Sequence, residues 1–254
     1  MSPEITAVVL DYGHTIVDFG RTEEALLQAY RESRERIEAA LEIEAPEVGH
    51  LIDRVAGEVD RLVRISYEER RMEELDTLKV FEEVLNAALG VSVPADVVGH
   101  IVALDHSAFS NTITVKDENR AALAELKDRG YQTGLISNVT LLPDLMRADI
   151  DALGLAKHLD QMLFSSEVGV RKPDPRIFRV MLERLGVEPG NAVFVGDRVL
   201  DDIGGAKGVG MRAVLTHEFR QEEPEEITPD AVIERLTELP ETVDRLALEA
   251  TDSA

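Results

Sequence analysis

The sequence predicts an α/β protein built on a parallel sheet, with a second region made only of helices inserted into it. Short apolar runs end at turn residues, and after about residue 112 they alternate with helical patterns. Between the first apolar run and residue 112, a region of roughly 90 residues shows no strand pattern. Strands separated by helices favour a parallel sheet covered on both faces. We therefore expect a Rossmann-like core at 1–19 and 111–254, with an all-helical domain at 20–110.

The first element is a strand, and the elements after it are helices. Residues 5–11, ITAVVLD, form a short continuous apolar run ending at a turn signal, as in strands buried on both faces. From about residue 21 the apolar residues recur at helical spacing, with charged residues between them. This spacing predicts about four amphipathic helices before residue 110.

Beyond residue 112 helices and strands alternate. The predicted helices lie at 116–130, 141–155, 173–187, 201–210 and 237–250. The predicted strands lie at 131–138, 162–166, 192–197, 211–217 and 229–236. Residues 218–230 are rich in acids, and we expect them to form a solvated connector.

Composition excludes several classes of function. The formal net charge of −23 leaves no basic face for nucleic acid, so no nucleic-acid partner is expected. No apolar run is long enough for a membrane helix, so no membrane partner is expected either. The start, MSPEITAVVLDYG, lacks the features of a secretory signal, which favours a cytoplasmic location. The absence of cysteine excludes disulfides, thiolate zinc sites and cysteine nucleophiles.

Polar residues follow the predicted strands at the ends where a parallel sheet binds its ligands. Considered singly, each of these polar residues can be explained by a structural role, such as forming a turn, starting a helix or lying on the surface as a lysine. Together they converge on one rim of the sheet and predict a functional site. These residues are Asp11, Ser137, Asn138, Lys172, Asp197, Asp201 and Asp202.

This set of side chains suits phosphoryl transfer. A carboxylate such as Asp11 can act as a covalent nucleophile. Mg²⁺ prefers oxygen ligands and takes one or two carboxylates, which Asp11 with Asp197 or Asp202 would supply. Lys172 would neutralise phosphate oxygens, and Ser137 would donate a hydrogen bond to one of them.

Four stretches of the chain resemble the motifs of the haloacid dehalogenase (HAD) superfamily, specifically its phosphatases with a helical C1-type cap. In chain order they are VVLDYGHT, TGLISN, SSEVGVRKPDPRIF and VFVGDRVLDDIGGAKGVGM. The all-helical region at 20–110 lies where this family places its cap, between the first and second motifs. The resemblance implies that this region is a cap domain on a HAD-like core.

The resemblance also implies an activity and a role for each motif residue. The activity would be Mg²⁺-dependent hydrolysis of a small phosphorylated metabolite, through an aspartyl-phosphate on Asp11. Ser137 and Lys172 would join Asp11 as catalytic residues. Asn138, Thr15 and His14 would bind substrate. The metal ligands would be Asp11, the main-chain carbonyl of Gly13, Asp197 and Asp202.

The chain departs from the family pattern at Gly13, where most phosphatases of the family carry a second aspartate. That aspartate protonates the leaving group and then activates water, and losing such a group costs about 10²–10⁴ in rate. The enzyme would then need good leaving groups or another acid. The nearest candidates are His14, since an imidazole is a common general acid and base in proteins, and Asp18.

Three other functions remain open at this point. Haloacid dehalogenases also lack the second aspartate but work without a metal, which the retained Asp197 and Asp202 argue against. Phosphonate-cleaving relatives use a cap lysine, and Lys79 is the lysine within 20–110. The chain could also be a non-catalytic phosphate-binding or interaction module.

Overall fold

The computed structural model describes residues 5–223 and 226–252, with side chains described through residue 249. Residues 1–4, 224–225 and 253–254 of the predicted core lie outside this description. The chain divides into two compact units. One unit holds the described residues up to Asp18, Thr114–Val139 and the chain from Met146 onward, and the other holds Phe19–Ile113 with Thr140–Leu145.

The first unit is built on a six-stranded sheet in the order β3-β2-β1-β4-β5-β6. Every neighbouring pair is parallel, which confirms the predicted α/β class. Leu10, the last residue of β1, pairs with Leu135 on one side and with Val195 on the other, so the carboxyl ends of the three central strands lie within two residues of one another. The strands are β1 Ala7–Leu10, β2 Gln132–Ser137, β3 Gln161–Phe164, β4 Ala192–Gly196, β5 Arg212–Thr216 and β6 Ala231–Ile233.

The second unit consists of helices, as the apolar spacing predicts. They are α1 Glu23–Leu41, α2 Val48–Leu51, a π-helical turn Ile52–Ala56, α3 Gly57–Glu68, α4 Thr77–Leu89 and α5 Ala95–Ser110. Thr22 and Asp76 cap α1 and α4 by accepting main-chain N–H bonds, and Gly90 ends α4 in the left-handed region. The buried stripes of α1, α4 and α5 share one hydrophobic core that includes Phe81 and Ile101.

Helices also alternate with the strands of the sheet. They are α6 Asp117–Asp128, α7 Pro143–Ala152, α8 Ser165–Val168, α9 Pro175–Leu185, α10 Gly205–Val209 and α11 Leu239–Asp252. The apolar face of α9 packs on the sheet, where the Phe178 ring meets Phe194 of β4 edge to face at 5.2 Å. Within the described ranges, no helix combines the length and the apolar character needed to cross a bilayer.

Candidate active site

Asp11 marks the carboxyl end of the central strand. Its main-chain N–H donates to Val195 O at 2.8 Å, which extends the pairing of β1 with β4 by one residue. The Asp11 side chain is buried where the sheet ends. The strand therefore fixes the direction of this carboxylate, as the sequence pattern predicts.

Two further buried carboxylates lie beside Asp11. Asp197 directly follows β4, and Asp202 lies in a π-helical turn, Val199–Gly204. Asp11, Asp197 and Asp202 each offer an oxygen within 4.8 Å of the others. A side chain at Gly196 would collide with the Asp202 carboxylate, so the bare glycine lets Asp202 approach the strand end.

Lys172 joins two of these carboxylates. Its Nζ donates to Asp11 Oδ1 at 2.6 Å, to Asp202 Oδ1 at 2.7 Å and to Ile136 O at 3.1 Å. The amine also lies 5.1 Å from the centre of the Phe194 ring. Lys172 is 2% exposed, so its charge acts in a poorly solvated environment.

Burial and mutual repulsion shape the charge of the cluster. Burial raises the pKa of Asp11 to about 7, against the lowering effect of Lys172. Burial and the charge of Asp202 raise the pKa of Asp197. Burial lowers the pKa of Lys172, but Asp11 and Asp202 raise it by more, so the amine stays protonated. These raised pKa values reflect carboxylates that are buried and crowded together, and a further positive charge beside them would favour their ionised forms.

Ser137 and Asn138 lie at the end of β2, where the sequence predicts them. Ser137 is buried as the last residue of the strand. The Asn138 side chain accepts from Lys172 N at 2.7 Å and donates to Lys172 O at 2.9 Å. Asn138 thus fixes the main chain that carries the lysine, while its contact with substrate stays a prediction.

The turn after Asp11 holds the remaining first-motif residues. Thr15 is buried, and its hydroxyl donates to Asp197 Oδ1 over a long 3.4 Å. His14 adopts a positive φ of 57°, whereas Gly13 does not lie in the left-handed region. His14 Nδ1 pairs with Asp18 Oδ1 at 3.2 Å. The ring is thus engaged with Asp18, and its role as a replacement acid stays a prediction.

The start of the segment after β5 is anchored by side-chain contacts, whereas the described residues from 221 to 230 are exposed or half-buried, as expected for a solvated connector. The Glu218 side chain is 2% exposed and accepts from Lys116 Nζ and from Leu236 N. Arg220 Nη1 donates to Asp197 Oδ2 at 2.7 Å. Sequence reasoning missed Arg220 because the turn that brings it to Asp197 has no distinctive spacing.

The donor set fits a hard divalent cation. Three buried carboxylates gathered at one point supply oxygen ligands of the kind that Mg²⁺ prefers. The described side chains around them contribute no sulfur and no imidazole to this group. The site residues are therefore compatible with Mg²⁺, and they would hold it through Asp11, Asp197 and Asp202.

A family model described as "haloacid dehalogenase-like hydrolase" matches residues 5–210. The chain belongs to this family. The match covers the first three motif stretches and all but the last residue of the fourth, and it places this chain among the hydrolases. Family membership therefore agrees with the resemblance read from the sequence.

Individual relatives are similar over different lengths. A phosphoserine phosphatase from Thermus thermophilus is 41% identical over 122 residues, 48% of this chain and 48% of the relative. The chain thus spans about half the length of the curated relatives it matches.

Two solved structures are similar over nearly the whole chain. An HAD phosphatase from Thermococcus onnurineus has a TM-score of 0.59 at 25% identity, over 94% of this chain and 98% of that one. A 2-haloacid dehalogenase from Pseudomonas syringae has a TM-score of 0.66 at 25% identity, over 95% and 99%. The overall fold therefore does not separate these two activities.

Proposed function

We propose that this protein is a Mg²⁺-dependent phosphatase that hydrolyses a small phosphate monoester through an aspartyl-phosphate on Asp11. The observation that carries the proposal is the set of three buried carboxylates at one rim, joined by Lys172. The phosphatase named among its relatives supports the same reaction class.

The chain's own residues divide the work of the first half-reaction. Asp11 forms a bond to phosphorus while the bond from phosphorus to the leaving oxygen breaks. Lys172 and Ser137 stabilise the negative charge on the non-bridging phosphate oxygens. Asn138 keeps Lys172 in place through both of its amide contacts. When bound, Mg²⁺ supplies positive charge that offsets repulsion between the carboxylate and the phosphate.

Gly13 limits the proton transfers in both halves of the mechanism. Its carbonyl can serve as a metal ligand, but it has no group to protonate a leaving alcohol or activate water. We expect the best turnover with leaving groups that need no protonation, such as aryl oxides. His14 with Asp18, or water alone, would complete the proton transfers.

The helical unit would select the substrate. In this proposal residues 20–110 form a cap that excludes water and contacts the part of the ester remote from phosphorus. A phosphoserine phosphatase among the relatives favours a small phosphorylated metabolite. Lys79 is exposed on α4, which gives no support for an imine-forming lysine.

A dehalogenase is the second candidate, favoured by the solved structure with a TM-score of 0.66 and by Gly13. Displacing halide from a 2-haloacid needs a carboxylate nucleophile but no metal. A metal-free enzyme would have no use for the additional buried carboxylates Asp197 and Asp202. Their retention next to Asp11 therefore favours the phosphatase.

The deciding experiment is a panel of phosphate monoesters, including an aryl phosphate, with Mg²⁺ and with EDTA. We expect turnover with Mg²⁺ and loss of turnover with EDTA. The same protein is offered a 2-haloacid in EDTA, and released halide is measured. Halide release without phosphate release would favour the dehalogenase. A folded protein inactive on both would favour a binding module.

A further inference from the structure

Arg220 is the one basic side chain on Asp197 among the ion pairs of the described residues. Its Nη1 lies 2.7 Å from Asp197 Oδ2, and Asp197 is 2% exposed. Lys172 bonds to Asp11 and Asp202 but makes no hydrogen bond to Asp197 in the described contacts. The two basic residues thus contact different carboxylates of the cluster. Arg220 pairs with Asp197, the one carboxylate to which Lys172 does not bond.

The segment that carries Arg220 is anchored and does not resemble a free surface loop. Glu218 N donates to Thr216 Oγ1 at 3.2 Å, at the end of β5. The buried Glu218 carboxylate accepts from Lys116, whose amine also lies 4.5 Å from the centre of the Phe219 ring. Arg220 directly follows these two fixed residues. The contacts of the two preceding residues therefore hold the main chain of Arg220 near Asp197.

Family membership does not assign a role to this arginine. The family model ends at residue 210, ten residues before Arg220. None of the four motif stretches includes it. Arg220 is 32% exposed along its side chain, so it lies at the edge of the buried cluster, within reach of solvent.

We infer that Arg220 is a positioning residue that acts through Asp197: it neutralises this carboxylate and competes with a divalent cation for it. The inference rests on the cation site of the proposed function. A guanidinium bonded to Oδ2 stabilises three crowded carboxylates without a metal. Once a cation is bound, the same guanidinium is a positive charge beside it and opposes binding.

This role makes two quantities change in opposite directions when the charge is removed. In Arg220→Gln, repulsion among the carboxylates is less compensated, so the protein in EDTA should melt about 2–4 °C lower. The same variant should bind Mg²⁺ roughly three- to tenfold more tightly, since a repelling charge is gone. A residue that only supported the structure would lower both quantities together.

The experiment measures Mg²⁺ binding by titration calorimetry and melting in EDTA, without substrate. Arg220→Lys retains the charge and should bind Mg²⁺ as the unsubstituted protein does. Arg129→Gln is the matched control. It also removes one positive charge from an ion pair, but Arg129 precedes the amino end of β2, whereas the carboxylate cluster lies at the carboxyl ends of the strands. The control should leave Mg²⁺ affinity unchanged.

The outcomes separate this inference from the proposed function. If the unsubstituted protein binds Mg²⁺ and Arg220→Gln binds it equally or more weakly, the role of Arg220 is overturned while the cation site of the proposed function stands. Absence of Mg²⁺ binding by the unsubstituted protein would overturn the cation site and this role together. Tighter binding by Arg129→Gln as well would attribute the effect to overall charge and also overturn the inference.

Discussion

Each of the two units contains a cluster of charged and polar residues around one or more buried carboxylates, and the two clusters differ in composition. The rim cluster comprises Asp11, Lys172, Asp197, Asp202 and Arg220. The helical cluster comprises Arg21, Tyr30, Asp60 and Asp105. In the rim cluster three carboxylates are buried together, whereas in the helical cluster Asp105 is buried and Asp60 is exposed.

The buried carboxylates of the two clusters have different hydrogen-bond and ion-pair partners. Tyr30 donates its hydroxyl to Asp105 Oδ1 at 3.0 Å, and Arg21 Nη1 lies 3.7 Å from the same oxygen. Burial raises the pKa of Asp105, while Arg21 and Tyr30 oppose that rise. One acid with one hydrogen-bond donor and one nearby guanidinium forms a self-contained structural contact. Three acids crowded at the rim share two basic residues and have raised pKa values, an arrangement that a bound cation would stabilise, and this difference points to chemistry at the rim.

The largest expected effect is the loss of turnover in Asp11→Asn. An amide cannot form the covalent intermediate, so phosphate release should fall on the order of 10⁴-fold or more. Aryl phosphate hydrolysis with Mg²⁺ measures the rate, and circular dichroism checks the fold. Asp128→Asn, the same change at the exposed end of α6, should retain activity. Retained turnover in Asp11→Asn would refute the covalent mechanism.

Lys172→Met should reduce stability more than any charge removal in the helical cluster. It leaves the buried Asp11 and Asp202 carboxylates without their shared cation, and breaking a buried pair costs about 3–5 kcal/mol. Urea unfolding in EDTA gives the free energy of unfolding. Lys207→Met, which breaks a more exposed pair with Asp230, should cost about 1 kcal/mol or less. Equal losses in both variants would contradict the difference in burial.

Gly13→Asp tests whether the rim cluster lacks only a proton donor. The φ of Gly13 lies outside the left-handed region, so the backbone conformation does not exclude a side chain. Turnover of alkyl phosphates should rise about 100-fold, the lower limit for a general acid, with less change for aryl phosphates. The measurement is the ratio of alkyl phosphate turnover to aryl phosphate turnover, in the variant and in the unsubstituted protein. An unchanged ratio in a folded variant would mean that another group already supplies the proton.

Tyr30→Phe should affect stability but not metal binding. Asp105 loses its neutral donor inside the helical unit, at a cost of about 1–3 kcal/mol for a buried unsatisfied acceptor. Chemical unfolding measures the loss, and calorimetry with Mg²⁺ should give the affinity of the unsubstituted protein. A large change in Mg²⁺ affinity would show that the two clusters are not independent.

The smallest effect is expected for His14→Gly. Glycine relieves a positive φ that costs a non-glycine residue roughly 1 kcal/mol, while the exposed contact with Asp18 is worth less. Stability should therefore stay within about 1 kcal/mol of its original value or rise. Turnover of aryl phosphate should stay nearly unchanged. A strong fall for alkyl phosphates only would assign the missing proton transfer to His14.

Much of the fold and part of the site follow from local patterns. Apolar runs with turn residues predict the strands, because a buried strand must be apolar and must end where the chain turns. The strand-end positions of Asp11, Ser137 and Asp197 follow directly, since parallel strands bring their carboxyl ends to one rim. The structure places these residues there.

Other contacts could not be predicted from spacing. The joint bond of Lys172 to Asp11 and Asp202, and the double contact of Asn138 with Lys172, depend on how loops from different strands pack. The acidic composition of 218–230 suggests solvent exposure, yet Glu218 is buried. Composition averages over a segment, whereas burial is decided by the partners that each side chain meets.

The fold class, the order of the elements and the acids that end the strands can be predicted from the amino-acid sequence. These properties arise from periodicity and chain reversal, which are local. The pairing of each basic residue with a particular carboxylate emerges only in the folded protein, because ion pairs join residues far apart in sequence and depend on distances of a few ångströms. Arg220 on Asp197 is such a contact.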